Sequence, residues 1–199
     1  MDTFDELLVK AEAAHGHLCA GQILGVRMAL LGLDRLQIGD PQGVDRKRLV
    51  TFVEIDRCAT DAIALVTGCR LGKRALKFRD WGKMAATFMD LTSGRAIRIV
   101  AGEDSRALAD QAYPLLGKEA RQKLAYRLLP DAKLFQEQWV RVGIDAADLP
   151  GAKSERVACD ACGEGVNFGR FKEQVDGRRL CLSCANPHLR YWEPADFER

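Results

Sequence analysis

Apolar residues recur at helical spacing through the first 36 positions of the chain. Phe4, Leu7, Leu8 and Ala11 fall at i, i+3, i+4 and i+7, which predicts a helix over 4–14 that stops near Gly16. Ile23, Val26, Leu30 and Leu33 repeat the pattern over 19–36, beside a strip of small residues, Ala20, Gly21, Gly25 and Ala29. Small residues let a second backbone come close, so this helix is expected at the centre of the core. After a turn at 39–43 the period changes to two. Segment 49–55 reads as a strand, and a helix follows over 56–69, with Asp56 as its cap and Gly68 as its stop. Segments 75–81, 83–90 and 95–100 alternate again, punctuated by Gly82 and Ser93-Gly94, so a mostly antiparallel sheet of about four strands is expected. Segments 105–113, 117–129 and 135–142 read as helices, with Pro114 and Pro130 as breaks. Strands followed by helices, after a helical start, predict an α+β core rather than a βαβ repeat.

Composition fits this picture. In 199 residues, 47% are hydrophobic and 29% charged, as in a soluble globular protein with a real core. A formal charge of +2 is too small to drive binding to nucleic acid or to an anionic membrane. The opening residues show neither a basic n-region nor a long apolar run, and no stretch is long enough to span a membrane, so a cytoplasmic protein is expected. In that compartment seven cysteines point to metal ligands or reactive thiols rather than to a disulfide framework.

Two stretches carry candidate chemistry in the core. His15-Gly16-His17-Leu18-Cys19 packs two imidazoles and a thiol into five residues at a helix break or in the first turn of the next helix. These are the donors that zinc and similar metals prefer. Taken locally, they are equally compatible with two exposed histidines and a cysteine that simply packs. Cys58 and Asp61 are three apart at the start of the helix after the first strand, so they share a face. There too, a buried cysteine beside an aspartate that favours the helix dipole is the plain alternative.

The C-terminal stretch is more specific. Residues 146–157 read as a polar linker between a core domain over 1–145 and a module over 158–199. Cys159, Cys162, Cys181 and Cys184 form C-x2-C-x18-C-x2-C, the spacing of a structural zinc site. A hairpin turning at Asp176-Gly177 is expected between the pairs, and His188 is left as non-ligating because four thiolates complete the shell. So small a module lacks a large core, and a metal would supply its folding free energy. From Lys153 onward eight basic residues balance eight acidic ones, which favours protein contact over nucleic-acid contact for this module.

His15-Gly16-His17-Leu18-Cys19-Ala20-Gly21, Cys58-Ala59-Thr60-Asp61-Ala62, Thr67-Gly68-Cys69-Arg70-Leu71-Gly72-Lys73 and Asp80-Trp81-Gly82-Lys83-Met84-Ala85 follow one another in an order that resembles the formylmethanofuran dehydrogenase E-subunit family over about 5–145. The C-terminal module is similar to the zinc finger that some members carry. Ala20 stands where many members have proline. The resemblance implies an α+β core, an intertwined homodimer and a core metal, zinc or another transition metal, held by the histidine and cysteine motifs. It also implies association with a molybdenum or tungsten enzyme, in a subunit that is not the catalytic one.

On this basis His17, Cys19 and Cys58 are the expected core ligands, and His15, Asp61 and Cys69 are supporting groups or alternative ligands. The leading expectation is a metal-binding accessory protein. A second is a metal- or thiol-dependent enzyme of unknown substrate, with Asp61 as general base, or with Cys58 as nucleophile and a histidine as its base. A third is a transcriptional regulator or metal sensor that meets nucleic acid through the zinc finger.

Overall fold

The second helix of the protein is buried on almost every side. In the computed structural model, which describes residues 2–193, α2 (Ala20–Leu36) contributes Ile23, Val26, Met28, Ala29 and Leu33, none of them exposed to solvent. It lies against α1 (Phe4–His15) and α3 (Cys58–Thr67) and packs on the sheet. The small residues make this possible. A Cβ on Gly25 would come within 2.5 Å of the Ala59 carbonyl oxygen in α3, and one on Gly32 within 2.3 Å of the Phe88 ring.

The sheet has five strands, β1 (Leu49–Val53), β2 (Leu76–Phe78), β3 (Ala85–Asp90), β4 (Ala96–Ala101) and β5 (Phe135–Val140), in the order β2-β1-β3-β4-β5. β1, β3, β4 and β5 are antiparallel neighbours, with Phe52 opposite Thr87, Phe88 opposite Ile97, and Ile97 opposite Trp139. β2 instead runs parallel to β1, with Thr51 opposite Leu76, so the sheet is mixed. The parallel pair follows from connectivity: α3 lies between the two strands and returns the chain to the end where β1 began.

α4 (Ser105–Ala112), α5 (Lys118–Leu128) and the single turn α6 (Asp131–Leu134) complete the first unit, which ends at Gly143. Segment 135–142 is not the expected helix. Its first six residues form the edge strand β5, because the free edge of β4 offers a ladder of backbone hydrogen bonds that outweighs the helix preference of Gln136, Glu137 and Gln138. Arg35 of α2 grips Glu137 through Nε and Nη2, at 2.6 and 3.0 Å, and Arg95 lies over the Trp139 ring.

The second unit begins at Ile144 and is built from two small antiparallel ladders and one helical turn. β6 (Val157–Ala158) pairs with β7 (Gly165–Val166), and β8 (Phe171–Glu173) pairs with β9 (Arg179–Cys181), which runs into α7 (Leu182–Ala185). The hairpin around Asp176-Gly177 is therefore present, with its first strand at 171–173, while Val166 belongs to the earlier ladder. The buried residues of this unit are Val157, Cys159, Val166 and Cys181. No helix among the described residues is long and apolar enough to cross a membrane.

Candidate metal centre

α1 ends where a glycine lets it end. Gly16 takes the left-handed conformation, φ 93°, and its N–H closes the helix on the Glu12 carbonyl at 2.8 Å. His15 is thus the last helical residue, His17 stands in the connector, and Cys19 in extended conformation is the N-cap of α2. The break that separates the two helices brings one donor atom each of His15, His17 and Cys19 within 4.8 Å of one another. The two imidazole rings are tilted at 44°, with centroids 5.1 Å apart.

α3 completes the group from the other side. A close approach at Gly21, where a Cβ would lie 3.4 Å from Cys58 Cβ and 3.7 Å from Cys19 Sγ, seats the first residue of α3 beside the first of α2. Cys58 sits beside Cys19, and burial, followed by this thiol neighbour, pushes the Cys58 pKa up. Asp61, one turn along the same face, accepts or shares a proton with His15 Nδ1 at 3.0 Å. The N-cap of α3 is Arg57 rather than Asp56. The loop before it is held by Thr60 Oγ1 on the Ile55 carbonyl at 2.5 Å. Glu54, 3% exposed at the end of β1, receives Nε and Nη2 of Arg98, each at 2.7 Å. That pair fixes where β1 stops, and so where Cys58 stands.

Cys69 does not join these residues. It follows the opposite end of α3, 2% exposed, with its thiol between Thr51 Oγ1 and the Leu49 carbonyl, and burial raises its pKa. It serves the packing of α3 on β1.

Beside the His/Cys group opens a cleft of about 700 Å³, reached by His17, Cys19 and Cys58. Its other walls come from residues that motif reading passed over: Arg57, Ser105, Arg106, Lys118, Glu119 and Tyr126. Most lie far along the chain and carry no local pattern. Arg27 of α2 places one wall, since Nη1 donates to the Tyr126 and Leu129 carbonyls at 2.8 and 2.6 Å, while Nη2 reaches Asp131 at 2.5 Å. Glu119 pairs with Lys123 at 2.6 Å, and that hydrogen bond, with a smaller contribution from nearby His17, lowers its pKa.

In the second unit the four cysteines Cys159, Cys162, Cys181 and Cys184 converge, one sulfur each, within 4.8 Å. Both pairs sit on turns that aim N–H groups at sulfur, including Cys181 N–H on Cys159 Sγ at 3.3 Å. The backbone N–H groups of Cys181, Cys162 and Ala161 bring the Cys159 thiol down to about 6. The Glu164 N–H favours a Cys162 thiolate, but desolvation and hydrogen bonds with the other three thiols push it up to about 12. With Cys159 and Cys181 lowered and Cys162 and Cys184 raised, the four thiols share their protons, and a divalent cation would ionise the set. The donor set and turns fit tetrahedral zinc.

Similarity to known proteins extends to both units. Residues 153–188 match the prokaryotic dksA/traR C4-type zinc finger family. The chain is 27% identical over 201 residues to a protein from Archaeoglobus fulgidus described as a probable S-adenosyl-L-methionine-binding protein, covering 92% of this chain and 53% of that one. It therefore spans about half the length of that relative. The fold is shared with a tungsten formylmethanofuran dehydrogenase FmdE-like protein from Syntrophus aciditrophicus, at a TM-score of 0.62 and 21% identity over 95% of each chain. Residues 14–148, well over half of the chain, match the family described as FmdE, molybdenum formylmethanofuran dehydrogenase operon, and the protein belongs to the FmdE family.

Proposed function

We propose that this FmdE-family protein is a cytoplasmic, metal-binding accessory protein that works with a molybdenum or tungsten enzyme. A core metal is held by the His/Cys group, and the zinc-stabilised second unit makes protein contacts. The observation that carries this reading is the convergence of His15, His17 and Cys19, with Cys58 beside Cys19 and Asp61 on His15. The sequence-based set was His17, Cys19 and Cys58. The geometry favours adding His15, because a carboxylate on Nδ1 leaves Nε2 as the donor and holds the ring in place. Three of these four donors on the metal would keep a coordination position for a small ligand, as catalytic and sensing centres do, whereas all four would close the shell. The homodimer stands on the family resemblance and is tested by light scattering.

Elemental analysis of the full chain tests the core site. We expect two ions per chain, and one in the double variant H17A/C19S. A wild-type protein that holds a single ion after reconstitution with zinc, lost on substitution of Cys159 and Cys162, sinks the core-metal reading.

A small-molecule or enzymatic role is the second reading. It is favoured by the cleft that adjoins the same donors, and the relative described as binding S-adenosyl-L-methionine lends it support.

A further inference from the structure

Cys19 and Cys58 stand where the starts of α2 and α3 meet. A Cβ on Gly21 would touch both, 3.7 Å from Cys19 Sγ and 3.4 Å from Cys58 Cβ, and would lie 3.8 Å from the Ala59 nitrogen. One methyl group would thus reach from one cysteine to the other. The approach is held by the crossing itself, since Gly25, one turn along α2, leaves room for the backbone of Ala59. A disulfide requires two cysteines whose backbones are already this near, because it spans little and strains readily.

The pair is also open to small reagents. Both cysteines are free thiols, both are partly exposed, and both line the cleft. Cys69 is shut away at the far end of α3, on Thr51 and the Leu49 carbonyl, and the remaining four cysteines converge in the second unit. The first unit therefore holds one accessible pair of neighbouring thiols, and both members belong to the expected core ligands. Their oxidation would remove two sulfur donors in one event.

We infer that Cys19 and Cys58 form a redox switch, a dithiol that a hydroperoxide closes to a disulfide and a reducing dithiol reopens. One thiol sulfur attacks the peroxide, the O–O bond breaks, and a sulfenic acid and one water form. The second thiol then attacks that sulfur, an S–S bond replaces the S–O bond, and a second water leaves. Two thiols have given up two electrons and two protons, and hydrogen peroxide has become two waters. For its consequence the inference rests on the metal reading. Closure leaves His15, His17 and Asp61 without sulfur beside them, a set that holds a thiolate-preferring metal less tightly, so the core metal is released. The pairing of the thiols stands on the packing of α2 against α3 alone.

The test treats the full wild-type chain with hydrogen peroxide, at a dose that leaves Cys159, Cys162, Cys181 and Cys184 unoxidised, then alkylates free thiols and digests with trypsin without reduction. Mass spectrometry should find peptide 11–27, which carries Cys19, joined to peptide 58–70, which carries Cys58 and Cys69. Dithiothreitol should separate the two. The link should be lost in Cys58→Ser and kept in Cys69→Ser, and the oxidised protein should run as a single chain on a non-reducing gel. Elemental analysis should show the loss of one metal ion per chain as the link forms. Absence of the link, its persistence in Cys58→Ser, a link between two chains, or a link formed with the core metal retained overturns the inference. Metal lost while Cys19 and Cys58 remain unlinked sinks the switch and leaves the metal reading standing. A reversible link in a protein that holds only the zinc of its second unit does the reverse, upholding the thiol switch and sinking the core metal.

Discussion

His15 Nδ1 lies 3.0 Å from Asp61 Oδ2, joining the last residue of α1 to the first turn of α3 across 46 positions of sequence. In the proposed core site the contact would leave Nε2 as the metal donor and restrain the ring. Asp61→Ala is therefore expected to lower core-metal affinity about 10- to 100-fold, and chelator competition would measure it. The zinc of the second unit stays in place. Unchanged core affinity would show that the contact is only a surface ion pair.

Gly25 is where α2 and α3 touch most closely. An added methyl would meet the Ala59 carbonyl oxygen at 2.5 Å and its Cα at 2.8 Å, both backbone atoms that cannot swing aside. Gly25→Ala should cost about 1–3 kcal/mol in urea unfolding. It should also move Cys58 away from Cys19, read as slower formation of a Cys19–Cys58 cross-link by a short bifunctional thiol reagent. Wild-type stability in this variant would mean that the helices part without strain.

Acid should weaken the first unit through Asp90. Burial acts to raise its pKa, but Arg48 at 2.9 and 3.2 Å, Ser93 at 2.7 Å and the Thr92 N–H at 3.0 Å outweigh it and hold the carboxyl at about 2. An unfolded aspartate titrates near about 3.9. The folded value is the lower one, so this stabilisation is complete above about pH 4 and is lost as pH falls toward 2. It amounts to roughly 2 kcal/mol. Urea midpoints at pH 5, 3 and 2 should show the loss, and Arg48→Met should flatten that slope. An equal slope in the variant would assign the acid sensitivity elsewhere.

Zinc removal should unfold the second unit alone. Apart from cysteines, its buried core is Val157 and Val166, with Phe171 and Leu180 packed against them, which is too little to offset chain entropy. On adding a strong chelator, amide resonances of β6 to β9 should collapse toward random-coil positions while those of β1 to β5 persist. Dispersed β8 and β9 resonances in metal-free protein would contradict this.

Helices α1 to α5, the break at Gly16, the stop at Gly68 and the four-cysteine spacing were all legible in the sequence, because each rests on neighbours within a few residues. Periodicity, a left-handed glycine and a C-x2-C turn are local physics. The small strip of α2 likewise announced a close crossing. Four features needed the tertiary structure. Segment 135–140 is a strand because β4 has an edge to fill, against its own helix-forming residues. β2 is parallel to β1 because of the path taken by α3. His15 meets Asp61, and the starts of four helices enclose one cleft, only after α1, α3, α4 and α5 have packed around α2. Those contacts span tens to more than a hundred residues. Their energies depend on long-range closure, which no pattern along the chain encodes.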